Sequence, residues 1–469
     1  MPATLEAPAK TRATVTFPEE VRERFLLSGG LTFRDGSSKS AEEIWDFLTV
    51  EGPRRFPNLF TKARLHGLSG DWDLISGIKR TYLQVSIYDR LNRAVADGVP
   101  VVLIQGGQGH EPYYAAGAIP VRPGHLNAWA TNIKEGMSFE EADQRRLQIR
   151  EGGRQHLTVD ACQTAKYEII QPGLVPVAMV APYLANRCSD IAYGLEAHRH
   201  GPIRLPLLAV DVPVDDQDGK EWARDYVAGN LRTLLAQVSG KSGKKGSAED
   251  LREEIKLHNK KRRLAREYAD LWWNAKVPPT SSQDHLAILG LGNESHGDPV
   301  AALQVLEESL AEVRQRVLDG VKGHGLQDDP ARLFVCGSCV NPNLKHVDSV
   351  GGVVVGKDDG WSEIYHDIDE EIDPYLAVAD SILAYPYEQP SQERGRWTAR
   401  QAERARADGL LFMYQWGCNY QSGIARLVAD VVREEAGIPT AIIERAMAES
   451  QVGNEQLNGR VETFIEILR

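Results

Sequence analysis

The chain has 469 residues, of which 42% are hydrophobic and 26% charged. That is the composition of a globular enzyme; it excludes a disordered, collagenous or coiled-coil chain and, at ~150 residues per domain, allows about three units. Lys+Arg total 54 against 66 Asp+Glu, a formal charge of −12, which argues against nucleic acid as the main partner.

Residues 1–17 carry no apolar stretch of the kind a secretory signal needs and read as a disordered tail. Residues 18–95 read as a polar, mainly helical region. Within it, Ser40–Leu48 opens with Ser and Glu signals and sets Ile44, Phe47 and Leu48 at helical spacing, and Leu74–Ala96 is a second helix. Residues 96–215 read as a first α/β subdomain. Its predicted strands, Val99–Ile104, Ala118–Val121, Leu174–Val180 and Leu205–Val210, are short apolar runs of the kind buried in parallel sheets. Helices are expected between some of them, around Thr164–Ile170 and Asp190–His198.

Residues 216–328 change character, with amphipathic helices over Trp222–Val238, Ala248–Trp273 and Pro299–Leu318. The stretch SGKSGKKGS at 239–247 does not fit G-x-x-x-x-G-K-[ST], so it reads as a solvated loop and not a P-loop. The basic run Asn259–Arg263 reads as a wet helix face. Residues 329–469 form a second α/β subdomain, with strands at Leu333–Val335, Val353–Val355, Leu410–Tyr414 and Thr440–Ile443 and helices at Asn343–Val350, Ser422–Glu435 and Leu457–Leu468. The fold class is therefore α/β: two parallel-sheet, flavodoxin- or Rossmann-like subdomains joined by a helical segment and preceded by a helical region. No stretch reaches the ~18 apolar residues of a transmembrane helix, so no membrane partner is expected.

Five cysteines, an odd number in a long chain, do not make a disulfide framework and fit a reduced, cytoplasmic compartment. All five fall near strand-to-helix turns, where ligands collect in open parallel sheets. Cys336 and Cys339 form a C-x-x-C, readable as a redox pair with a depressed thiol pKa or as half of a zinc site whose second pair is missing. Cys162, Cys188 and Cys418 suit an iron–sulfur cluster better than zinc, although spacing alone does not establish one. Three protein ligands on a four-iron cluster would leave one iron open to a substrate oxygen. Glu111 follows a buried strand and a Gly-rich turn, so it either meets a substrate or caps the next helix. His110 and His125 are either proton donors or packing residues. The acidic run Asp367–Asp373 lacks the glycine and spacing of a calcium loop and reads as a solvated helix start, and Trp272-Trp273 reads as core or subunit interface.

Several landmarks occur in one order along the chain: His110-Glu-Pro-Tyr-Tyr-Ala-Ala-Gly-Ala-Ile-Pro-Val121, Leu251–Leu264 with Asn259 and Arg262, Val350-Gly-Gly-Val-Val-Val355, Asp408-Gly-Leu-Leu followed by Gly417-Cys-Asn419, Gly437–Glu444 and Gln456–Glu466. This ordered set resembles the 2-hydroxyacyl-CoA dehydratase and benzoyl-CoA reductase family over roughly residues 80–469. The resemblance implies one [4Fe–4S] cluster on Cys162, Cys188 and Cys418, a related sister subunit, and a separate ATP-hydrolysing iron–sulfur activator that injects a low-potential electron. It further implies that the electron reaches the carbonyl of a CoA thioester and forms a ketyl-type radical anion. Dehydratases then expel the 2-hydroxyl group, whereas aryl-CoA reductases reduce the ring. The missing P-loop agrees with ATP hydrolysis on another chain.

The chain departs from the family pattern at Lys357-Asp-Asp-Gly-Trp361, where a cysteine is frequent, at Ala446, where an acidic residue is usual, and at the Cys336–Cys339 pair. The segment Gly360–Arg400 and Cys418-Asn419 lean toward the benzoyl-CoA reductase larger subunit, which favours aryl-CoA ring reduction, with 2-hydroxyacyl-CoA dehydration as the alternative. Two other classes remain in view: a non-catalytic cluster or scaffold subunit, and a thiol oxidoreductase built on Cys336 and Cys339.

Overall fold

Short, uniformly apolar runs cannot leave either face in water, and in the computed structural model they pair as two parallel sheets covered by helices. The structure describes residues 17–61, 68–104, 109–156, 173–181, 205–213, 220–337, 341–358, 362–415, 417–445 and 454–469. The chain enters through α1 (Glu19–Leu27), a small hairpin of β1 (Leu31–Thr32) and β2 (Ser38–Lys39), and α2 (Ala41–Asp46). At the start of α2, the Ser40 hydroxyl accepts the Glu43 amide and the Glu43 carboxylate accepts the Ser40 amide, which closes a capping box. A wide turn at Phe47–Glu51 and the short α3 (Gly52–Arg55) follow, and α4 (Ile75–Ala96) leads into the first sheet.

That sheet has the spatial order β4-β3-β5, with β3 at Val101–Ile104, β4 at Ile119–Val121 and β5 at Met179–Ala181. Val101 sits opposite Ile119, and Val102 opposite Met179. Between β3 and β4 lies α5 (Glu111–Ala115), and after β4 come α6 (Pro123–Ala130) and α7 (Phe139–His156). A helical layer follows: α8 (Lys220–Ser242), α9 (Ala248–Asn274), α10 (Ser282–Gly290) and α11 (Pro299–Leu318). The second sheet is ordered β7-β6-β8-β9, with β6 at Ala331–Gly337, β7 at Gly352–Lys357, β8 at Gly409–Gln415 and β9 at Thr440–Arg445. Its helices are α12 (Leu344–Ser349), α13 (Pro374–Leu383), α14 (Ser391–Arg404), α15 (Asn419–Ala436) and α16 (Asn454–Leu468). At the end of β6, Gly337 is required: its φ is +109°, and a Cβ there would lie 1.8 Å from the Met413 carbonyl oxygen.

The α/β class read from the sequence is the class observed. Several elements differ in extent. The expected strand at Leu205–Val210 is not continuous: Leu207 bridges to Val180, and Val210 is a second isolated bridge residue, while the one at Leu174–Val180 is ordered as sheet only from Met179. Residues 239–242, read as loop, complete the last turn of α8. Helices α6, α7, α10 and α14 were not anticipated, whereas α13 begins directly after the acidic run read as a helix start, with Asp373 as its N-cap. The helices expected at Thr164–Ile170 and Asp190–His198 lie outside the described residues. Among the described residues, no helix is long and apolar enough to cross a membrane.

One apolar cluster contains Val21, Trp129, Trp272, Phe334 and Ile438, so it runs from the N-terminal helices through the helical layer to the second sheet. Trp272 and Trp273 are core residues at the end of α9. Their indole N–H groups donate to Thr280 Oγ1 (3.0 Å) and to the Val355 carbonyl (2.7 Å), which fastens the helical layer to β7. A second fastening is polar. Asp284 on α10, fully buried, accepts from Ser69 Oγ (2.8 Å) and from the amides of Gly70 and Asp71 (both 2.7 Å), and Arg80 lies 3.5 Å away. Asp284→Ala is expected to cost about 3–5 kcal/mol of unfolding free energy, because it strands the buried Arg80 and three donors. Urea unfolding checks this; a loss under ~1 kcal/mol refutes it.

Candidate functional site

The carboxyl ends of β3 and β4 open onto a nest of buried charged side chains. His110 and Glu111 stand at the start of α5, after β3, and Arg122 and His125 follow β4. Opposite them, α9 presents Glu254, His258, Lys261 and Arg262, all buried. Positions 254, 258, 261 and 262 share one helical face. The third wall is the loop 291–298 between α10 and α11, with Glu294, Ser295 and His296.

Specific contacts close the nest. Arg262 forms an ion pair with Glu111 and donates to Asn259 Oδ1 at 3.0 Å. Asn259 in turn holds the segment before α13: its side chain donates to the Ile368 carbonyl (2.7 Å) and accepts the Ile368 amide (2.9 Å). Lys261 Nζ donates to Ser295 Oγ. Arg34 from the N-terminal hairpin pairs with Glu254, and its guanidinium lies over the Tyr114 ring, which stacks on His258. The run Asn259–Arg263 is therefore not one wet face. Lys260 and Arg263 point to solvent, whereas Asn259, Lys261 and Arg262 are buried. The acidic run Asp367–Asp373 is the partner of the exposed part, through Arg263 to Asp367 (2.9 Å) and Glu370 (3.2 Å), and Asp373 caps α13.

Burial sets the electrostatics. It works against the charge on Glu111, but Arg262 overrides it and pulls the carboxyl down to about 2, so Glu111 is ionised. Burial pushes His110 down to about 3, leaving a neutral imidazole. Burial also pulls Lys261 down to about 7, against the opposing charge of Glu294. At neutral pH the nest thus offers a fixed cation in Arg262, a lysine near its titration point and a neutral histidine. That set can balance negative charge that develops on a bound group and exchange a proton with it. Glu111 is the first residue of α5, after the N-cap His110, and its carboxylate neutralises Arg262.

The cysteines sit elsewhere. Cys418, 5% exposed, is the N-cap residue of the 18-residue α15, just beyond the carboxyl end of β8 and after Gly417 with φ +82°. A helix N-terminus favours an anionic thiolate or an anionic group bound to it. Cys162 and Cys188 lie outside the described residues, as does Cys339. Cys336 donates to Asp358 Oδ2 at 2.9 Å, and Asp358 pairs with the buried Arg394 at 2.8 Å. Burial, with Asp358 beside it, pushes the Cys336 thiol well up. A redox-active pair needs the opposite shift.

A cleft of about 630 Å³, lined by Arg34, Tyr82, Arg90 and Arg93 among others, also reaches Val99 and Ile119. It lies at the amino ends of β3 and β4, the edge opposite the one at which parallel sheets bind ligands. The sequence singled out His110, Glu111 and His125 in the nest, and Asn259 and Arg262 as landmarks. It missed Arg34, Glu254, His258, Lys261, Glu294 and His296. The i, i+4, i+7, i+8 spacing on α9 was the available signal, but charged residues on an amphipathic helix are ordinarily assigned to water.

The model of 2-hydroxyglutaryl-CoA dehydratase, D-component, matches residues 110–468. The chain belongs to that family. The match begins at His110, so the α5–α9 nest and all five cysteines of this D-component family member fall inside it, whereas Arg34 falls outside. Among individual curated proteins, none matches the chain.

The Glu111 shift has a sign that can be tested. Its folded pKa, about 2, lies below an unfolded value of ~4.3, so its stabilisation is complete above about pH 4.3 and is lost as the pH falls toward about 2. Glu111→Gln is expected to flatten the slope of stability against pH across that window, measured by urea unfolding at several acid pH values. An unchanged slope counts against the ion pair.

Proposed function

We propose that the chain is the cluster-carrying subunit of a radical-type enzyme that acts on a CoA thioester, with a [4Fe–4S] cluster held by Cys162, Cys188 and Cys418. The observation that carries this reading is the seat of Cys418: a buried thiol at the carboxyl end of a parallel strand and at a helix N-terminus, in a chain of this family. Such a seat suits an anionic cluster thiolate. Bound there, the cluster would supply a low-potential electron to the thioester carbonyl. We infer that a separate ATP-hydrolysing activator delivers that electron and that a related sister subunit completes the enzyme.

The α5–α9 nest is the proposed site of the proton chemistry. Arg262 and Lys261 would balance negative charge on the reduced thioester, and His110 and Lys261 would hold or move the proton that accompanies a departing hydroxyl.

Between the two reactions, dehydration of a 2-hydroxyacyl-CoA is the one supported. What supports dehydration is the match to a 2-hydroxyglutaryl-CoA dehydratase component. Cys336 is not assigned to the cluster, because its buried thiol is already committed to Asp358, which in turn pairs with Arg394.

Chain purified without oxygen is expected to contain about four irons and four sulfides. Cys418→Ala is expected to lose them and Cys336→Ser to keep them; a colourless, iron-free wild type refutes the cluster. Assembled with its sister subunit, the activator and ATP, the enzyme is expected to convert a 2-hydroxyacyl-CoA to the enoyl-CoA. Ring reduction of an aryl-CoA by the same complex would reverse the assignment of reaction.

A further inference from the structure

Outside the proposed cluster ligands, one group of side chains has the composition of a metal site. His125 on α6, Glu294 and His296 bring their ligand atoms within 4.8 Å of one another. The three come from two separate segments at the carboxyl end of β4, the edge at which such sheets collect ligands. Two imidazoles and one carboxylate, with no thiolate, suit a borderline divalent ion.

The loop that carries two of these residues is built rigidly. The Glu294 carboxylate accepts the His296 amide at 2.8 Å, Arg90 donates to the His296 carbonyl at 2.9 Å, and Lys261 holds Ser295 between them. His296 has φ +46°, a left-handed conformation that costs a non-glycine residue energy, and Asp298 then caps α11. Glu294 keeps a fifth of its side chain open to solvent and His125 is only partly buried, which leaves an entry path. Arg122 stands 4.0 Å from the Glu294 carboxylate, beyond hydrogen-bond distance, so the carboxylate retains lone pairs for an ion.

An independent observation points the same way. His110 is 2% exposed, and neither of its ring nitrogens has a hydrogen-bond partner among the described residues; the same is true of His296 Nδ1. His110 is close enough to Glu294 to interact with its charge. Buried imidazole nitrogens are ordinarily satisfied, so two histidines with unmet nitrogens around one carboxylate mark a place where a bound ion and its waters belong.

We propose that His125, Glu294 and His296 bind a divalent ion of the zinc or iron(II) class, with coordination positions left open to water or a substrate oxygen. The site is independent of the cluster assignment, since no cysteine takes part. Full-length protein dialysed against Zn²⁺ and then desalted is expected to retain about one zinc per chain by elemental mass spectrometry, counted separately from cluster iron. His125→Ala, a partly exposed position, and Glu294→Gln are each expected to weaken zinc binding at least ~10-fold with iron and sulfide unchanged. Cys418→Ala is expected to lose iron and keep zinc. The zinc X-ray absorption spectrum of the wild type is expected to show nitrogen and oxygen neighbours without sulfur. Absence of retained zinc, equal retention by His125→Ala, or a sulfur-containing shell would each overturn the proposal, while a wild type that retains zinc but holds no iron when purified without oxygen would overturn only the cluster reading.

Discussion

Taking a guanidinium out of water is costly unless a partner meets it, and Arg262 on α9 is met by the Glu111 carboxylate at the start of α5. That pairing fixes where α5 docks on α9, and therefore where the chain leaves β3. The neighbouring residues of α9 repeat the device. Asn259 clamps the backbone at Ile368, Lys261 reaches the loop after α10, and Glu254 takes Arg34 from the N-terminal hairpin. One helix thereby holds four distant pieces of sequence in register. Each contact is polar, so each has a preferred geometry that apolar packing alone would not impose. The nest with the chemistry is a consequence of this arrangement.

Desolvation then does two things at once. It makes His110 neutral and brings Lys261 near its titration point, while the Arg262 charge keeps Glu111 ionised. Groups of ordinary reactivity on a wet helix become a graded set of proton donors and acceptors in a site that excludes water. The same principle works in the opposite direction at Cys336, where burial and Asp358 hold the thiol protonated and Arg394 neutralises the carboxylate. Cys336, Asp358 and Arg394 therefore form a supporting lattice at the ends of β6 and β7, and the C-x-x-C spacing does not by itself make a reactive pair.

The parallel strands, the capping boxes and the long helices were legible in the sequence because each rests on a local pattern. VVLI at 101–104 is apolar on both faces, Ser40 and Ser247 stand three residues before an acid, and Asp298-Pro299 and Asp373-Pro374 open helices. The short helices α6 and α10 were missed since their apolar content is high all round and shows no clear stripe. The strand expected at Leu205–Val210 has the right composition, but it pairs through isolated bridges at Leu207 and Val210 and not as a continuous strand.

The sequence by itself determined the α/β class, the place of Cys418 at a strand-to-helix turn, and the ordered landmarks that carry the family resemblance. All of these depend on residues close together in the chain. Only the tertiary structure decided which charges are buried. Lys260 and Lys261 are adjacent and chemically identical, yet one pairs at the surface with Glu307 and the other lies against Ser295. It was likewise the tertiary structure that brought His125 to Glu294 and His296, about 170 residues away in sequence. Helical periodicity says which residues share a face, but not whether that face meets water or another charged segment.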